Sequence, residues 1–231
     1  MIQNRRDLGK IRTRDGKMIR PGMLIRSAHL FQAEENELDG ISAVIDLRTT
    51  EERSQAPDRT YGADYYPMPV FDGSIPGVSH EQGSEIPDVP DMSVLYAQMM
   101  SSCADAFREI LLRIMEHDFS SGAILWHCTE GKDRCGMTTA LLLELLGVER
   151  TIIMEDYLKT NIASIPKAVR IRERARQKGE EFAEKIYQLY IADQRYLESA
   201  WEAMGDRFFT EKLNIPEKTL LRFQSAVLES T

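Results

Sequence analysis

The chain has 231 residues, 42% hydrophobic and 29% charged, with only 14 glycines and 9 prolines, which excludes a collagen-like, low-complexity or disordered chain and leaves apolar material for a sizeable core. Its 29 basic and 37 acidic residues give a net charge of −8. Such a balance argues against a nucleic-acid partner, while leaving room for a local cationic pocket.

In chain order, Met23-Leu24-Ile25 after the Pro21-Gly22 turn reads as a strand. Ala43 to Leu47 is a continuous apolar run closing on charged residues, the pattern of a buried strand. Asp64 to Val70 is rich in tyrosine and held extended by Pro67 and Pro69. Residues 71–91 mix proline, glycine and acids and predict a long mobile loop, either functional or a tolerated surface insertion. From Met92 the apolar residues Val94, Leu95, Met99, Phe107, Ile110, Leu111 and Ile114 follow helical spacing, broken once around Ser101-Ser102. Ser120-Ser121-Gly122 then turns the chain into a second buried strand, Ala123 to Trp126. A helix from about Cys135 to Leu146 follows and stops at Gly147; its leucines cover nearly all faces, which places it centrally. Residues 149–229 read as helical, with Pro166 and Pro216 near helix starts. No repeat or linker divides the chain, so residues 1–231 are expected to form one α/β domain, a mostly parallel sheet flanked by helices with a helical C-terminal portion.

The start, MIQNRRDLGK, has no apolar stretch of signal-peptide type, and the greasiest run, Thr139 to Val148, is too short to span a bilayer. A cytoplasmic protein without stable membrane insertion is the expectation, with non-classical export left open. The three cysteines make no disulfide framework and show no CxxC spacing, and the histidines carry no metal-ligand spacing.

One segment carries chemistry: Trp126-His127-Cys128-Thr129-Glu130-Gly131-Lys132-Asp133-Arg134-Cys135-Gly136. A buried strand ends in His-Cys, five residues intervene, and an arginine opens a helix. Loop amides and a helix N-terminus converging on one point favour an anion. Gly131 permits the positive φ of a closed loop, Arg134 offers a planar fork for two phosphate oxygens, and Lys132 adds a second charge. The same field lowers a cysteine from ~8.5 toward roughly 3.5–7.5, so Cys128 becomes a nucleophile beneath a bound phosphoryl group. The bland alternative is a buried structural thiol beside a helix-start charge.

His127-Cys128-x5-Arg134 resembles the signature loop of the cysteine-dependent protein tyrosine phosphatase superfamily, and HCTEGKDRCG resembles the HCxxGKDRTG form of a bacterial tyrosine and dual-specificity branch. Further segments are similar to that branch in the same order: Asn4 to Gly9, Leu24 to Leu30, Ile45 to Thr49 with Glu52, and Asp156 to Asn161. The resemblance implies a metal-free, cofactor-free phosphatase. Cys128 would form a phosphocysteine, and Arg134 with the amides of Thr129, Glu130, Gly131 and Lys132 would hold the phosphate. His127 would keep Cys128 ionised. Two carboxylates compete as general acid: Asp72, after the Pro-containing strand, and Asp133, whose other reading is a loop scaffold. The implied substrates are phosphotyrosine proteins, with phosphoserine and phosphothreonine also open. The alternative is a phosphoinositide lipid phosphatase, suggested by Lys132.

Two residues depart from the branch: Lys10 replaces a glycine, and Cys135 stands where a threonine hydroxyl is usual, a weaker donor to the nucleophilic sulfur. Arg48 and Glu52, four apart, suggest an ion pair either near the site or in solvent. Arg170, Arg172, Arg174, Arg176 and Lys178 form a basic stretch, read as a solvated helix face or as an approach for an anionic partner.

Overall fold

The two apolar runs become adjacent strands at the centre of a sheet. The structure is a computed structural model describing residues 1–71, 73, 78 and 89–230. Its strands are β1 (Arg6–Asp7), β2 (Met18–Ile19), β3 (Leu24–Ser27), β4 (Ile41–Asp46), β5 (Asp64–Pro67), β6 (Ala123–His127) and β7 (Leu228–Glu229). Five of them form a sheet in the order β1-β3-β6-β4-β5. β3, β6, β4 and β5 run parallel and only β1 is antiparallel. Every residue of β6 is buried, as a parallel strand covered on both faces requires. β2 and β7 pair separately and join the two ends of the chain.

The helices are α1 (Thr50–Gln55), α2 (Met92–Ser102), α3 (Ala104–Met115), α4 (Asp133–Leu145), α5 (Arg150–Leu158), α6 (Asn161–Ala175), α7 (Glu180–Tyr190), α8 (Gln194–Met204) and α9 (Glu217–Val227). The mostly parallel sheet flanked by helices is the expected class. The break near Ser101-Ser102 falls at Cys103, which ends α2 and opens α3. α4 is buried from Asp133 through Leu143, the central helix its leucines predict, and begins two residues before Cys135. No helix among the described residues is long and apolar enough to cross a membrane.

Two local expectations change. Regular pairing after Asp64 ends at Pro67, which has no N–H for the ladder; the Met68 and Val70 amides still bond to Asp46 and Leu47. Pro166 sits inside α6 rather than at its start. Asn161 explains the earlier start, because its side-chain amide exchanges two 2.8 Å hydrogen bonds with the Ala192 backbone. The loop expected over 71–91 lies mostly outside the described residues.

The parallel register brings Ser27 of β3, Asp46 of β4 and His127 of β6 side by side at the carboxyl edge of the sheet. Ligands of open α/β sheets bind at this edge, and the Cys128 loop starts there.

Candidate active site

The loop leaves β6 at Cys128 and enters α4 at Asp133. Gly131 has φ of +66°, and a Cβ there would lie 2.5 Å from the Ser27 carbonyl oxygen, so a side chain is excluded by strain and by contact. The loop carbonyls are fastened on the outside. Thr129 O accepts from the His29 amide at 3.3 Å. Asn4 Nδ2 donates to Glu130 O and Gly131 O, both at 3.0 Å, and Arg26 Nη2 donates to Gly131 O at 2.8 Å. In a planar trans peptide the N–H points opposite its carbonyl. Pinning these three carbonyls outward therefore turns the amides of Glu130, Gly131 and Lys132 to the concave side, as an anion cradle requires.

Those outer donors are themselves held. Arg6 Nε and Arg26 Nη1 each lie 3.0 Å from the Asp156 carboxylate, which is nearly buried. Burial alone would raise the Asp156 pKa, but Arg26 and Arg6 outweigh it and hold the carboxyl below its usual value. Three of the family-like segments, around Asn4, Arg26 and Asp156, thus meet behind one loop.

Cys128 is 2% exposed. Burial opposes its ionisation, yet the Cys135 thiol, the Arg134 guanidinium and the Cys135 backbone N–H overcome it and bring the pKa down to about 6. Arg134, 1% exposed, is gripped bidentately by Glu52 at 2.5 Å (Nη1–Oε2) and 2.8 Å (Nη2–Oε1). Thr129 Oγ1 and the Thr49 amide donate to the same carboxylate, which also closes the capping box of α1. Arg134 Nη2 also donates to Val78 O at 3.1 Å, and the Phe71 ring centre lies 5.4 Å from its Cζ. Arg134 Nε is buried and has no hydrogen-bond partner among the described residues.

The Arg48–Glu52 expectation is therefore corrected. Arg48 precedes α1, so it shares no helix face with Glu52. It folds back over the end of β4, 2.7 Å from both Asp46 and Asp58, while Glu52 faces the start of α4. The His127 ring lies 2.9 Å from Asp58. Burial works against a charged imidazole, but Asp46 and Asp58 prevail and raise its pKa.

The other loop residues divide. Lys132 is 1% exposed; its ammonium donates to the Leu189 and Ile191 carbonyls at the end of α7 and lies 3.2 Å from Asp133. Asp133 accepts from Tyr96 Oη at 2.8 Å, and Tyr96 meets Tyr157 at the same distance. Glu130 is paired with Lys167 of α6. Cys135 Sγ lies 3.6 Å from Ser27 O and 3.7 Å from Trp126 O; burial, then the Cys128 thiolate, raises its pKa well above the ordinary value and keeps it a protonated donor. Asp72 lies outside the described residues. Sequence reasoning did not single out Asp58 or Lys167, and no local spacing signals either.

The pattern of the tyrosine phosphatase family matches residues 1–229. A Cupriavidus necator protein whose name places it among tyrosine-protein phosphatases is 29% identical over 167 residues, covering 69% of this chain and 61% of its own. The tyrosine-protein phosphatase of Nostoc commune is 31% identical over 141 residues, covering 58% of this chain and 46% of its own. The triple specificity protein phosphatase PtpB of Mycobacterium tuberculosis is 28% identical over 195 residues, covering 69% and 68%. The chain spans less than two thirds of the length of the first two. With the family pattern running over nearly every residue, the chain belongs to the tyrosine phosphatase family.

Proposed function

We propose that the chain, acting as one catalytic unit, hydrolyses phosphotyrosine monoesters of proteins through a phosphocysteine. The observation that carries this reading is the pairing of a thiol lowered to about 6 with an adjacent arginine whose Nε–H is buried and unpartnered among the described residues. A buried donor in that state costs about 1–3 kcal/mol, which a phosphate oxygen relieves. The names of the relatives support the substrate class.

In the first step the Cys128 thiolate attacks phosphorus, an S–P bond forms, and the P–O bond to tyrosine breaks as an acid delivers a proton to the leaving oxygen. Arg134 and the loop amides hold the equatorial oxygens where charge is greatest. Water then attacks phosphorus, giving its proton to the carboxylate the acid has become; the S–P bond breaks, and phosphate leaves with the thiolate and the acid both restored. Asp72 is assigned as the acid, because Asp133 is occupied by Tyr96 and Lys132. Lys132 is assigned to anchoring the α7 end; this removes the residue on which a phosphoinositide reading leaned. His127, held between Asp46 and Asp58, is assigned to the thiolate's electrostatic support.

The test is Cys128→Ser. Turnover of an aryl phosphate should fall by about 10⁴-fold or more, while vanadate still raises the thermal midpoint through Arg134 and the amides. Turnover near the wild-type rate in this variant would overturn the reading.

A further inference from the structure

A cavity of about 520 Å³ opens beside the signature loop, on the side of Thr129 and Glu130. Its wall includes Asn4, His29, Glu130, Ile162, Lys167 and Arg170. The wall holds two cations against one carboxylate, a local excess of positive charge on a chain of net −8.

The two cations differ. Lys167 is committed to Glu130 and lies over the Tyr190 ring, 5.3 Å from its centre. Arg170 is exposed and has no ion-pair partner among the described residues. Elsewhere in the basic stretch Arg172 is paired with Glu184, and Arg176, just beyond α6, with Glu173 and Glu180. Arg174 and Lys178 have no ion pair among the described residues either, but Arg170 is the member of the basic stretch that lines the cavity. His29 supplies a second signal, since its Nδ1 is buried with no hydrogen-bond partner among the described residues. Ile162, 82% exposed, adds an apolar lip.

The cavity is within reach of a substrate held at Cys128. Glu130 is two positions beyond Cys128, at most about 7.6 Å between Cα atoms. An extended peptide advances roughly 3.3 Å per residue, a length that lets a side chain a few positions from the phosphotyrosine reach this cavity.

We propose that this cavity is a second anion subsite, which receives the carboxylate of an acidic residue flanking the phosphotyrosine of a protein substrate and selects it through Arg170. The proposal rests on the phosphatase reading above. An acidic chain repels acidic peptides at long range, and a cation beside the loop offsets this where it matters for binding.

The experiment compares kcat/KM for two phosphotyrosine peptides, one flanked by glutamates and one by lysines, so that any general loss of activity cancels in the ratio. Wild type should favour the acidic peptide by about three- to tenfold through KM, the size of a partly enclosed charge contact, and added salt should shrink the preference. Arg170→Ala should bring the ratio near one and Arg170→Glu should invert it. A wild-type ratio near one, or an acidic preference that survives Arg170→Glu, overturns the proposal while leaving the phosphatase reading intact. Absence of turnover on both peptides and on a small aryl phosphate overturns both. If Arg170→Glu leaves the peptide ratio unchanged but abolishes hydrolysis of a phosphoinositide in anionic vesicles, the cavity serves a lipid headgroup and the proposal fails.

Discussion

The two sides of the signature loop are built on opposite principles. On the inner side, toward β4 and α1, each charged side chain is held by a buried carboxylate: Arg134 by Glu52, with its Nε left for a ligand, and Arg48 by Asp46 and Asp58. On the outer side, toward α6, the wall is open and one arginine is unpaired among the described residues. The inner side cannot adjust, since a buried ion pair stripped of one partner leaves an uncompensated charge. Nothing there can discriminate between substrates without disturbing the chemistry. The outer side can change its charge at little cost in stability, so on the proposed reading selectivity belongs there and phosphoryl transfer to the inner side.

The strongest way to break this division is Glu52→Gln. The amide keeps the shape but loses the charge-assisted fork, so Arg134 should lose its orientation and kcat on an aryl phosphate should fall by about 10²–10³-fold, as when a transition-state donor is misplaced. The same variant should alter acid stability. Burial opposes the Glu52 carboxylate, but Arg134 and Thr129 more than compensate and lower its pKa. Its contribution to stability is therefore present above the ordinary carboxylate value of about 4.3 and is lost as pH falls below it. Urea titrations at pH 7 and pH 3 should show wild type and variant converging at the lower pH; a constant gap would contradict the pairing.

Next in size is the choice of acid. Asp72→Asn should slow a poor leaving group by about 10²-fold, spare an activated aryl ester, and remove the basic limb of the pH profile. Asp133→Asn should instead lower the thermal midpoint, because the buried Lys132 ammonium loses its carboxylate counter-charge. If the leaving-group signature follows Asp133 alone, the scaffold assignment is wrong.

The smallest effect should come from Cys135. With Cys128 brought down to about 6, kcat/KM for an aryl phosphate should rise with pH through that value as the thiolate forms, provided the substrate's own ionisation is corrected for. Cys135→Ala removes the leading favourable contact and should move this limb upward. Cys135→Thr substitutes a stronger donor, so the limb should fall and kcat rise by about two- to fivefold where phosphocysteine breakdown is limiting. Iodoacetate alkylation rates against pH read the limb directly.

Much of this was legible because some physics is local. Apolar runs at 43–47 and 123–126 reported strands buried on both faces, and the strand-loop-helix around Cys128 reported an anion site through Gly131 and Arg134. What escaped was direction. Lys132 and Arg134 are two residues apart and carry the same charge, yet one points to α7 and the other to the Cys128 side; only the helical rotation at the start of α4 and the carbonyls at 189 and 191 decide this. Glu52 was legible as a likeness to the family, but its partner lies 82 residues away, beyond any spacing rule. Pro166 misled because α6 starts earlier, at Asn161, whose side chain bonds the Ala192 backbone, a partner 31 residues away that no local pattern announces.

The outward fastening of the loop carbonyls also bears on how the chain folds. Asn4 is 126 and 127 residues from the carbonyls it holds, Arg26 is 105 from Gly131, and Arg6 is 150 from Asp156. The β3–β6 pairing spans a similar 100 residues, but these contacts need both strands already side by side, so the cradle is expected to be completed after the strands have paired. A phosphate-like ligand finds no binding surface in the unfolded chain or in the early transition state. Its stabilisation, about 2.7 kcal/mol at a hundred times Kd, therefore appears as slower unfolding and leaves the folding rate nearly unchanged.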